Sequence, residues 1–273
     1  MNKNKKKIKI AIIGSEGYVG RAVKRLLKNH YQIIPYDIIG VGSWEEVNKC
    51  QLAIICVPTP MKKDGSCDIS IVEKTVSRLQ VPIILIKSTI PPGTTKKLKK
   101  KYKKRIVFSP EYIGEGNYFI PFWKGYPHPT KIKYHNFQIF GGDRKDTNVW
   151  VEIFQRVLGP DCRYIQTDST TAELTKYMEN SWGATKVTFC NEFYRIAKIF
   201  GVDYRELREL FLLDGRTERM HTSVFEGNYG FGGKCFPKDV NAIVKASKKA
   251  GYKPKFLEEV LRSNKRFRKD NRK

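Results

Sequence analysis

The chain has 273 residues, of which 40% are hydrophobic and 12% aromatic. This length and composition suit one large or two modest globular domains and exclude a disordered protein. No apolar run approaches the roughly 20 residues that cross a bilayer, and the basic N-terminus runs into a strand-like segment without a cleavage site. The sequence therefore predicts no membrane helix, no signal peptide and a cytoplasmic location.

The formal net charge of +25 favours an anionic partner, and nucleic acid is the first candidate. The densest basic run, KKLKKKYKKR at residues 96–105, lies between two strand-like segments, where a crossover helix belongs. It fits the solvated face of that helix as well as a binding surface. Because the sequence has neither zinc-finger spacing nor a paired aromatic strand motif, we do not expect a nucleic-acid partner.

Six cysteines show neither CxxC pairing nor metal-ligand spacing with the four histidines. This pattern predicts reduced thiols in a reducing compartment and no metal site. Most of them fit inert, small hydrophobic residues, and one is set apart by its neighbours, as described below. The six are Cys50, Cys56, Cys67, Cys162, Cys190 and Cys235.

Strand-like and helix-like segments alternate through the first 165 residues. The first strand-like run, IKIAIIG at residues 8–14, is continuously apolar, as a strand buried on both faces should be. Five or more such strands separated by crossovers predict an α/β fold with a doubly wound parallel sheet of the Rossmann type. The further strand-like segments span residues 31–37, 52–58, 82–89, 105–110 and 137–142.

After about residue 167 the pattern becomes helical. A long helix is predicted to begin at a capping box of Thr170 and Glu173 and to end at Gly201. Three more helical segments follow, over residues 203–215, 237–251 and 255–273. We therefore predict a Rossmann-like domain over residues 1–166 and a helical domain with a long central helix over residues 167–273.

The segment IIGSEGYVG follows the first strand and opens the first helix, which is the context of a dinucleotide-binding loop. Its glycines permit a tight turn and let a pyrophosphate approach backbone N–H groups at the helix N-terminus. The spacing is GxxGxxG rather than GxGxxG, and Glu16 puts a negative charge where phosphate should lie. The candidate cofactor-binding residues of this loop are Gly14, Gly17, Tyr18, Val19 and Gly20.

Asp37 ends the second strand, where an acidic side chain binds the adenosine ribose hydroxyls and disfavours a 2′-phosphate. This position favours NAD over NADP, and a simple turn residue is the alternative interpretation. The segments VPTP and STIPPG also end strands, so their loops lie at the carboxyl edge of the sheet, where ligands bind. Their candidate cofactor-binding residues are Val57, Pro58, Thr59, Ser88 and Thr89.

Cys235 follows the glycine-rich segment GFGGK and precedes Pro-Lys-Asp, which opens a helix. The glycines let the backbone come close to a ligand. The helix N-terminus favours the thiolate, as do the nearby cations Lys234 and Lys238. A reactive thiol beside a nicotinamide indicates oxidation of an aldehyde through a thiohemiacetal and a thioester.

Seven blocks follow one another along nearly the whole chain: GYVG, VPTPMKKDGSCDIS, IKSTIPPGTT, FSPEYIGEG, ELTKYMENS, NEFYRIAKIFGVD and GFGGKCFPKDV. In this order they resemble the nucleotide-sugar 6-dehydrogenases, the UDP-glucose/GDP-mannose dehydrogenase family. The resemblance implies a two-step oxidation of a sugar C6 alcohol to the carboxylate with two NAD⁺, such as UDP-glucose to UDP-glucuronate. The Lys-Asp pair after the proline is similar to the UDP-glucose or GDP-mannose branches.

By matched position, the resemblance implies that Cys235 is the nucleophile that captures the aldehyde. Lys176 and Asn180, one helical turn apart, would stabilise the oxyanion at C6. Plainer interpretations exist, because Lys176 and Glu173 could form an exposed helix pair and Asn180 could be a solvated polar residue.

The resemblance also implies that Asp239 and Thr89 position or deprotonate water, and that Glu111 takes part in thioester hydrolysis. A nucleotide sugar would be the substrate, either UDP-glucose or GDP-mannose. The positions that match substrate contacts are Glu111, Tyr112, Lys176, Asn180, Arg219, Phe225, Gly230, Gly232 and Gly233.

The final helix is similar to the helix at the dimer centre of family members, which continue beyond it into a C-terminal domain that binds UDP. We therefore expect a homodimer through the helices at residues 170–200 and 254–268, with the nucleotide end of the substrate site open. An apolar stripe of the final helix would be exposed unless it folds back or meets a second chain. The stripe consists of Phe256, Leu257, Val260, Leu261 and Phe267.

Two departures from the family concern the nucleotide-binding surface. The segment at residues 117–136 is longer and more aromatic than the family's loop, and Gly227 and Asn228 stand where the family has proline and glycine. Three functions stay open: a dehydrogenase, alone or completed by a separate UDP-binding polypeptide; an NAD-binding homologue without turnover; and a basic scaffold for nucleic acid. The joint presence of the matched catalytic residues favours the first.

Overall fold

The structure, a computed structural model, describes residues 7–113 and 132–271. The chain divides into two compact units. The first unit comprises the residues up to Pro60 together with Asp68–Lys176. The second comprises Met61–Cys67 together with the residues from Tyr177 onward. The domain boundary expected at residues 166 and 167 stays a prediction, and positions 117–131 of the aromatic segment lie outside the described residues.

The strands of the described chain all lie in the first unit, and they are β1 Lys9–Ile13, β2 Gln32–Tyr36, β3 Leu52–Ile55, β4 Ile83–Ile86, β5 Arg105–Phe108, β6 Phe137–Gly141 and β7 Arg163–Thr167. They form one sheet in the order β2-β1-β3-β4-β5-β6-β7. Neighbours pair in parallel except β5 and β6, which meet at one antiparallel pair, Phe108 and Gly141. The sequence did not indicate β7, because its segment RYIQT contains three polar residues and no apolar run.

The helices of the described chain are α1 Tyr18–Leu27, α2 Trp44–Asn48, α3 Ser70–Arg78, α4 Thr94–Tyr102, α5 Arg144–Leu158, α6 Ser169–Ile199, α7 Tyr204–Phe211, α8 Cys235–Lys249 and α9 Lys255–Asp270, with a short 3₁₀ helix at Ile132–Tyr134. None of them is long and apolar enough to span a membrane. The part of the chain that the structure describes also contains no cluster of three metal-ligating side chains.

Alternating strand side chains build two hydrophobic cores, one on each face of the sheet. Ala11 and Ile13 of β1 belong to the core that also contains residues of α2, α3 and α4. Ile10 and Ile12 belong to the core that contains residues of α1 and α5. Helices therefore cover both faces of a mostly parallel sheet, and the predicted doubly wound α/β fold is confirmed.

Residues 96–102 of the basic run lie in α4, as predicted for a crossover helix, and the run ends at Arg105, the first residue of β5. Leu98 faces the core and is fully buried. Lys99 lies 2.6 Å from Asp143, and Lys101 lies 2.6 Å from Glu73, so carboxylates neutralise part of the run. These are surface ion pairs, which contribute little to stability.

The start of α6 differs from the predicted capping box. Asp168, rather than Thr170, caps the helix by accepting hydrogen bonds from the N–H groups of Thr170 and Thr171 at 2.9 and 3.3 Å. The carboxylate of Glu173 is fully buried and caps α4 instead, accepting the N–H groups of Gly93 and Thr95 at 2.5 and 2.8 Å. The spacing of a capping box cannot reveal such a distant partner, and this prediction was wrong.

The second unit is helical, and a small core of Ala184, Phe231, Val240 and Val260 joins α6, α8 and α9. The apolar stripe expected on the final helix folds back onto this unit for the most part. Val260 and Phe267 are buried, Leu257 and Leu261 pack against the core, and Phe256 stays exposed. The stripe alone therefore does not require a second chain.

His221 lies in the loop that precedes α8, in the left-handed backbone region with φ of 66°. Its ring packs edge-on against Phe236, with centroids 5.1 Å apart. Burial lowers the pKa of His221 from 6.5 to about 4; the charge of Lys186 acts in the same direction, and Glu218 opposes it. The folded protein therefore favours the neutral imidazole.

This imidazole makes stability depend on pH. Because the folded pKa lies below the unfolded value, its stabilisation is complete above about pH 6.5 and is lost as the pH falls towards about 4. The loss should be about 3 kcal/mol, because each unit between the two pKa values corresponds to about 1.4 kcal/mol. We expect His221→Asn, which tolerates the left-handed backbone, to be less stable at pH 7 but to lose less on acidification. Thermal unfolding across this range tests it, and equal slopes for both proteins would contradict it.

Candidate active site

The loop between β1 and α1 has the geometry of a phosphate-binding turn. Gly14 adopts φ of 80°, and a Cβ there would lie 2.7 Å from the carbonyl oxygen of Cys56. A Cβ on Gly20 would lie 2.0 Å from the carbonyl oxygen of Gly14. Both positions therefore require glycine, and the N-terminus of α1 is open at Gly17 for a close backbone approach.

The negative charge of Glu16 in this loop is partly neutralised by a neighbouring lysine, so its repulsion of a phosphate is reduced. Lys24 of α1 lies 2.5 Å from the carboxylate of Glu16 and lowers its pKa. The backbone N–H of Glu16 donates to Asp37 Oδ2 at 3.0 Å. Asp37 is thereby held at the end of β2, beside the phosphate-binding turn, where a ribose would meet it.

A cavity of about 610 Å³ opens at this edge of the sheet. Gly14, Gly17, Val57 and Pro58 line it together with Asp37, so the sequence correctly grouped these positions. The arrangement fits the adenosine half of a dinucleotide, since an apolar pocket lies beside an acidic ribose ligand and a glycine turn. Lining residues that the sequence analysis missed are Tyr36, Ile38, Ile39, Trp44, Ile71, Lys74 and Arg78.

These missed residues lie at the end of β2 and directly after it, at the start of α2, and in α3. The guanidinium of Arg78 lies 4.2 Å from the ring centroid of Trp44. Ile38 and Ile39 are strongly exposed beside the cavity, which is unusual for isoleucine. Two consecutive isoleucines directly after the acidic strand end were the signal that the sequence offered.

The loops after β3 and β4 are tied together. The hydroxyl of Thr59 donates to the carbonyl of Thr89 at 2.8 Å, and the hydroxyl of Ser88 donates to the carbonyl of Val57 at 2.7 Å. The structure therefore brings together the candidate cofactor residues of these two loops at the carboxyl edge of the sheet.

Glu111 follows β5 and is almost fully buried. Its Oε1 accepts the N–H groups of Tyr112 and Ile113 at 2.9 and 3.2 Å, and its Oε2 lies 3.2 Å from Nζ of Lys87. Lys87 is buried as well, and its ammonium donates to the hydroxyl of Ser109 at 3.2 Å. The sequence analysis missed Lys87, whose signal was a lysine directly after the apolar strand IILI.

Lys176 is buried, so its interpretation as an exposed helix pair with Glu173 was wrong. Its ammonium lies 4.9 Å from the ring centroid of Tyr112, within the range of a cation–π interaction. The structure thus joins two of the predicted substrate contacts within the first unit.

In the second unit, Asn180 and Asp239 are both buried, and the amide of Asn180 donates to Asp239 Oδ2 at 2.5 Å. Lys238 forms an ion pair with the same carboxylate. The interpretation of Asn180 as a solvated residue was therefore wrong. Asp239 lies one turn beyond Cys235, which is the first residue of α8 and the exposed member of the six cysteines.

Asparagines hold the glycine-rich loop before α8. Asn264 of α9 pairs with both backbone groups of Phe231, accepting its N–H at 2.7 Å and donating to its carbonyl at 2.9 Å. Asn191 of α6 accepts the N–H of Gly230 at 2.9 Å. A Cβ on Gly230 would lie 2.4 Å from Oδ1 of Asn264, so glycine is required there. Sequence reasoning missed these asparagines, because their partners lie more than 30 positions away.

Two of the predicted substrate contacts, Arg219 and Phe225, are exposed, and Arg219 already has a partner. The guanidinium of Arg219 binds the carboxylate of Glu209 with two hydrogen bonds of 2.8 and 2.7 Å. Phe225 is exposed, as are Gly232 and Gly233 of the glycine-rich loop. A substrate would therefore have to compete with Glu209 for Arg219.

Comparison with known proteins supports the family that the sequence motifs indicated. The model of the UDP-glucose/GDP-mannose dehydrogenase family, NAD binding domain, matches residues 40–124. The model of the central domain of the same family matches residues 170–266. NAD is thus the cofactor of this domain, as the sequence predicted.

Two curated relatives and one solved structure show the extent of the similarity. The chain is 32% identical to UDP-glucose 6-dehydrogenase of Rickettsia bellii over 232 residues, covering 81% of this chain and 50% of that protein. It is 29% identical to UDP-glucose 6-dehydrogenase TuaD of Bacillus subtilis, covering 81% of this chain and 48% of that protein. A UDP-glucose dehydrogenase from Pyrobaculum islandicum has a TM-score of 0.78 at 24% identity, over 97% of this chain and 69% of that chain.

The structural similarity shows the fold, and the chain spans about half the length of the curated relatives it matches. The two family models together cover about two thirds of the chain, in the family's own order. The chain therefore belongs to the UDP-glucose/GDP-mannose dehydrogenase family.

Proposed function

We propose that this chain is the NAD-binding and catalytic part of a nucleotide-sugar 6-dehydrogenase, which oxidises a sugar C6 alcohol to the carboxylate. The observation that carries the proposal is the position of Cys235. It is exposed at the N-terminus of a helix of 15 residues, directly after a glycine-rich loop, and the buried Asn180–Asp239 pair lies one turn away. A helix N-terminus favours the thiolate, which is the nucleophilic form.

The proposed reaction has two oxidations and one hydrolysis. The first oxidation removes a hydride from C6 and a proton from its hydroxyl to give the aldehyde, and NAD⁺ would supply the hydride acceptor for both oxidations. Cys235 adds to the C6 aldehyde to give a thiohemiacetal, and loss of a hydride and a proton converts this to a thioester. Water then attacks the thioester, which releases the carboxylate and restores the thiol. Each sugar therefore consumes two NAD⁺.

Polar side chains of the chain would supply the charges and hydrogen bonds that this reaction needs. We assign Lys176 and Asn180 to the oxyanion at C6, as an ammonium and an amide that can donate hydrogen bonds. Asp239 and Thr89 would orient water. Glu111, whose Oε1 is fixed by two backbone N–H groups, would accept a proton from the attacking water.

The proposed substrate is UDP-glucose or GDP-mannose, bound by Tyr112, by the exposed Arg219 and Phe225, and by the loop at residues 230–233. The curated relatives are about twice as long as this chain, and their residues outside the match would add contacts to the nucleotide end of this site. A second candidate function, an NAD-binding homologue without turnover, is favoured by the two hydrogen bonds between Arg219 and Glu209, which occupy a proposed substrate contact.

We also propose a cytoplasmic homodimer through α6. Large apolar side chains are exposed along one side of this helix at spacings of three, four and seven residues, which is a surface that soluble monomers seldom leave open. They are Met178, Trp182, Phe189, Phe193 and Ile196.

Our first functional prediction concerns Asp37. The protein should bind NAD⁺ in preference to NADP⁺, because a carboxylate accepts hydrogen bonds from the ribose hydroxyls and repels a 2′-phosphate. Asp37→Asn should weaken NAD⁺ binding about tenfold, the worth of a hydrogen bond to a charged group. Calorimetric titration measures both, with Asp143→Asn on the surface as the matched control. Equal affinity of the wild type for the two cofactors would contradict the prediction.

Cys235→Ser should abolish complete oxidation to the acid and leave the first oxidation less affected, because serine cannot form the thioester. The ratio of NADH formed to sugar consumed should fall from about two to at most about one. The assay uses NADH absorbance with UDP-glucose and then GDP-mannose, with Cys67→Ser as the control. Two NADH per sugar from Cys235→Ser would refute the role of the thiol.

Light scattering tests the dimer. The wild type should have the mass of two chains at micromolar concentration, and Trp182→Glu should have the mass of one, because the substitution puts a charge into an apolar interface. Tyr252→Glu changes an exposed aromatic residue outside α6 and should leave the dimer intact. A monomeric wild type would count against the proposal.

A further inference from the structure

The first turn of α8, which carries Cys235, has no side-chain cap. Its N-cap residue, Lys234, makes no capping hydrogen bond through its side chain. The first N–H groups of a helix have no partner within the helix, so an uncapped first turn tends to fray. We therefore expect the position of this turn to depend on contacts between its side chains and the residues packed against it.

One such contact is the ring of Phe236, the neighbour of Cys235, which packs edge-on against the backbone of Gly183 in α6. A Cβ on Gly183 would lie 2.6 Å from Cζ of Phe236 and 3.2 Å from both Cε atoms. His221 and Phe231 close the other sides, with ring centroids 5.1 and 6.2 Å from that of Phe236. The ring of Phe236 is therefore in contact with three residues, Gly183, His221 and Phe231.

A second contact lies one turn later in α8 and one turn earlier in α6. Asp239 of α8 accepts a hydrogen bond from Asn180 of α6. Asn180 and Gly183 are three residues apart, as are Phe236 and Asp239, so each pair lies on one face of its helix. Two contacts on matching faces fix the rotation of the first turn of α8, and with it the direction in which the Cα–Cβ bond of Cys235 leaves the helix.

We propose that Gly183 is a positioning residue for Cys235. Because Gly183 has no side chain, the ring of Phe236 can pack against its backbone. This packing keeps the first turn of α8 helical next to the thiol. The inference rests on the proposed function, in which Cys235 reacts as a thiolate stabilised by the N–H groups of that turn. A larger residue at position 183 would displace the ring, loosen the turn and reduce the reactivity of the thiol.

The test measures the rate at which iodoacetamide modifies Cys235, by mass mapping of peptides, and it needs neither substrate nor cofactor. Gly183→Ala should reduce this rate about three- to tenfold, the worth of a helix N-terminus to a charge. Alanine is favoured over glycine in a helix interior, so helix propensity would not produce this loss. The matched control is Gly215→Ala in the same unit, where a Cβ meets no atom within 4 Å, and its rate should equal that of the wild type.

Rescue separates positioning from general destabilisation. Leucine lacks the Cε and Cζ atoms that a Cβ at position 183 would strike, so Gly183→Ala with Phe236→Leu should regain a rate within about twofold of the wild type. If Gly183→Ala fails to fold, Phe236→Ala, which removes the ring without overlap, should show the same three- to tenfold loss.

The outcomes distinguish the inference from the proposed function. A wild type whose Cys235 is not modified faster than the other cysteines would overturn the reactive thiol and the inference with it. A fast Cys235 in the wild type and an equal rate in Gly183→Ala, or in Phe236→Ala, would overturn the inference alone. So would a double variant as slow as Gly183→Ala.

Discussion

The cofactor pocket depends on the parallel register of β1 with its two neighbours. Ile13 pairs with Tyr36 of β2 and with Ile55 of β3, so the next residue of each strand, Gly14, Asp37 and Cys56, emerges at one edge. A slip of one residue would turn each side chain to the other face of the sheet. The close approach of Gly14 to the carbonyl of Cys56 then excludes every residue with a Cβ.

In the second unit, one face of α6 positions the residues around Cys235. Asn180 and Gly183 hold the first turn of α8, Ala184 lies in the core, and Asn191 binds the glycine-rich loop. At the helical period these residues fall on one side of α6, whereas the exposed apolar residues fall on the opposite side. The helix therefore separates a polar and close-packed face, which shapes the thiol site, from an apolar face that suits a second chain.

Patterns local to the chain predicted the fold and the candidate cofactor-binding residues, whereas the other candidate residues, apart from Cys235, came from the resemblance to the family. Buried parallel strands are continuous apolar runs and could be recognised, whereas β7 at the edge could not. Contacts between distant segments escaped prediction, because no spacing rule reaches them. Glu173 was predicted to cap its own helix, α6, but it binds the N-terminus of α4. The sequence did not single out Gly183, because its partner Phe236 is more than 50 positions away.

A covalent adduct provides the most direct test of the central claim, that Cys235 carries the acyl intermediate. The chain would be incubated with NAD⁺ and the C6 aldehyde of UDP-glucose, quenched in acid and digested, with Glu111→Gln used in parallel to slow hydrolysis of the thioester. The account predicts a sugar thioester on the peptide that contains Cys235, more abundant in Glu111→Gln and missing without NAD⁺. NADH formation without an adduct on that peptide, or an adduct on another cysteine, would contradict it.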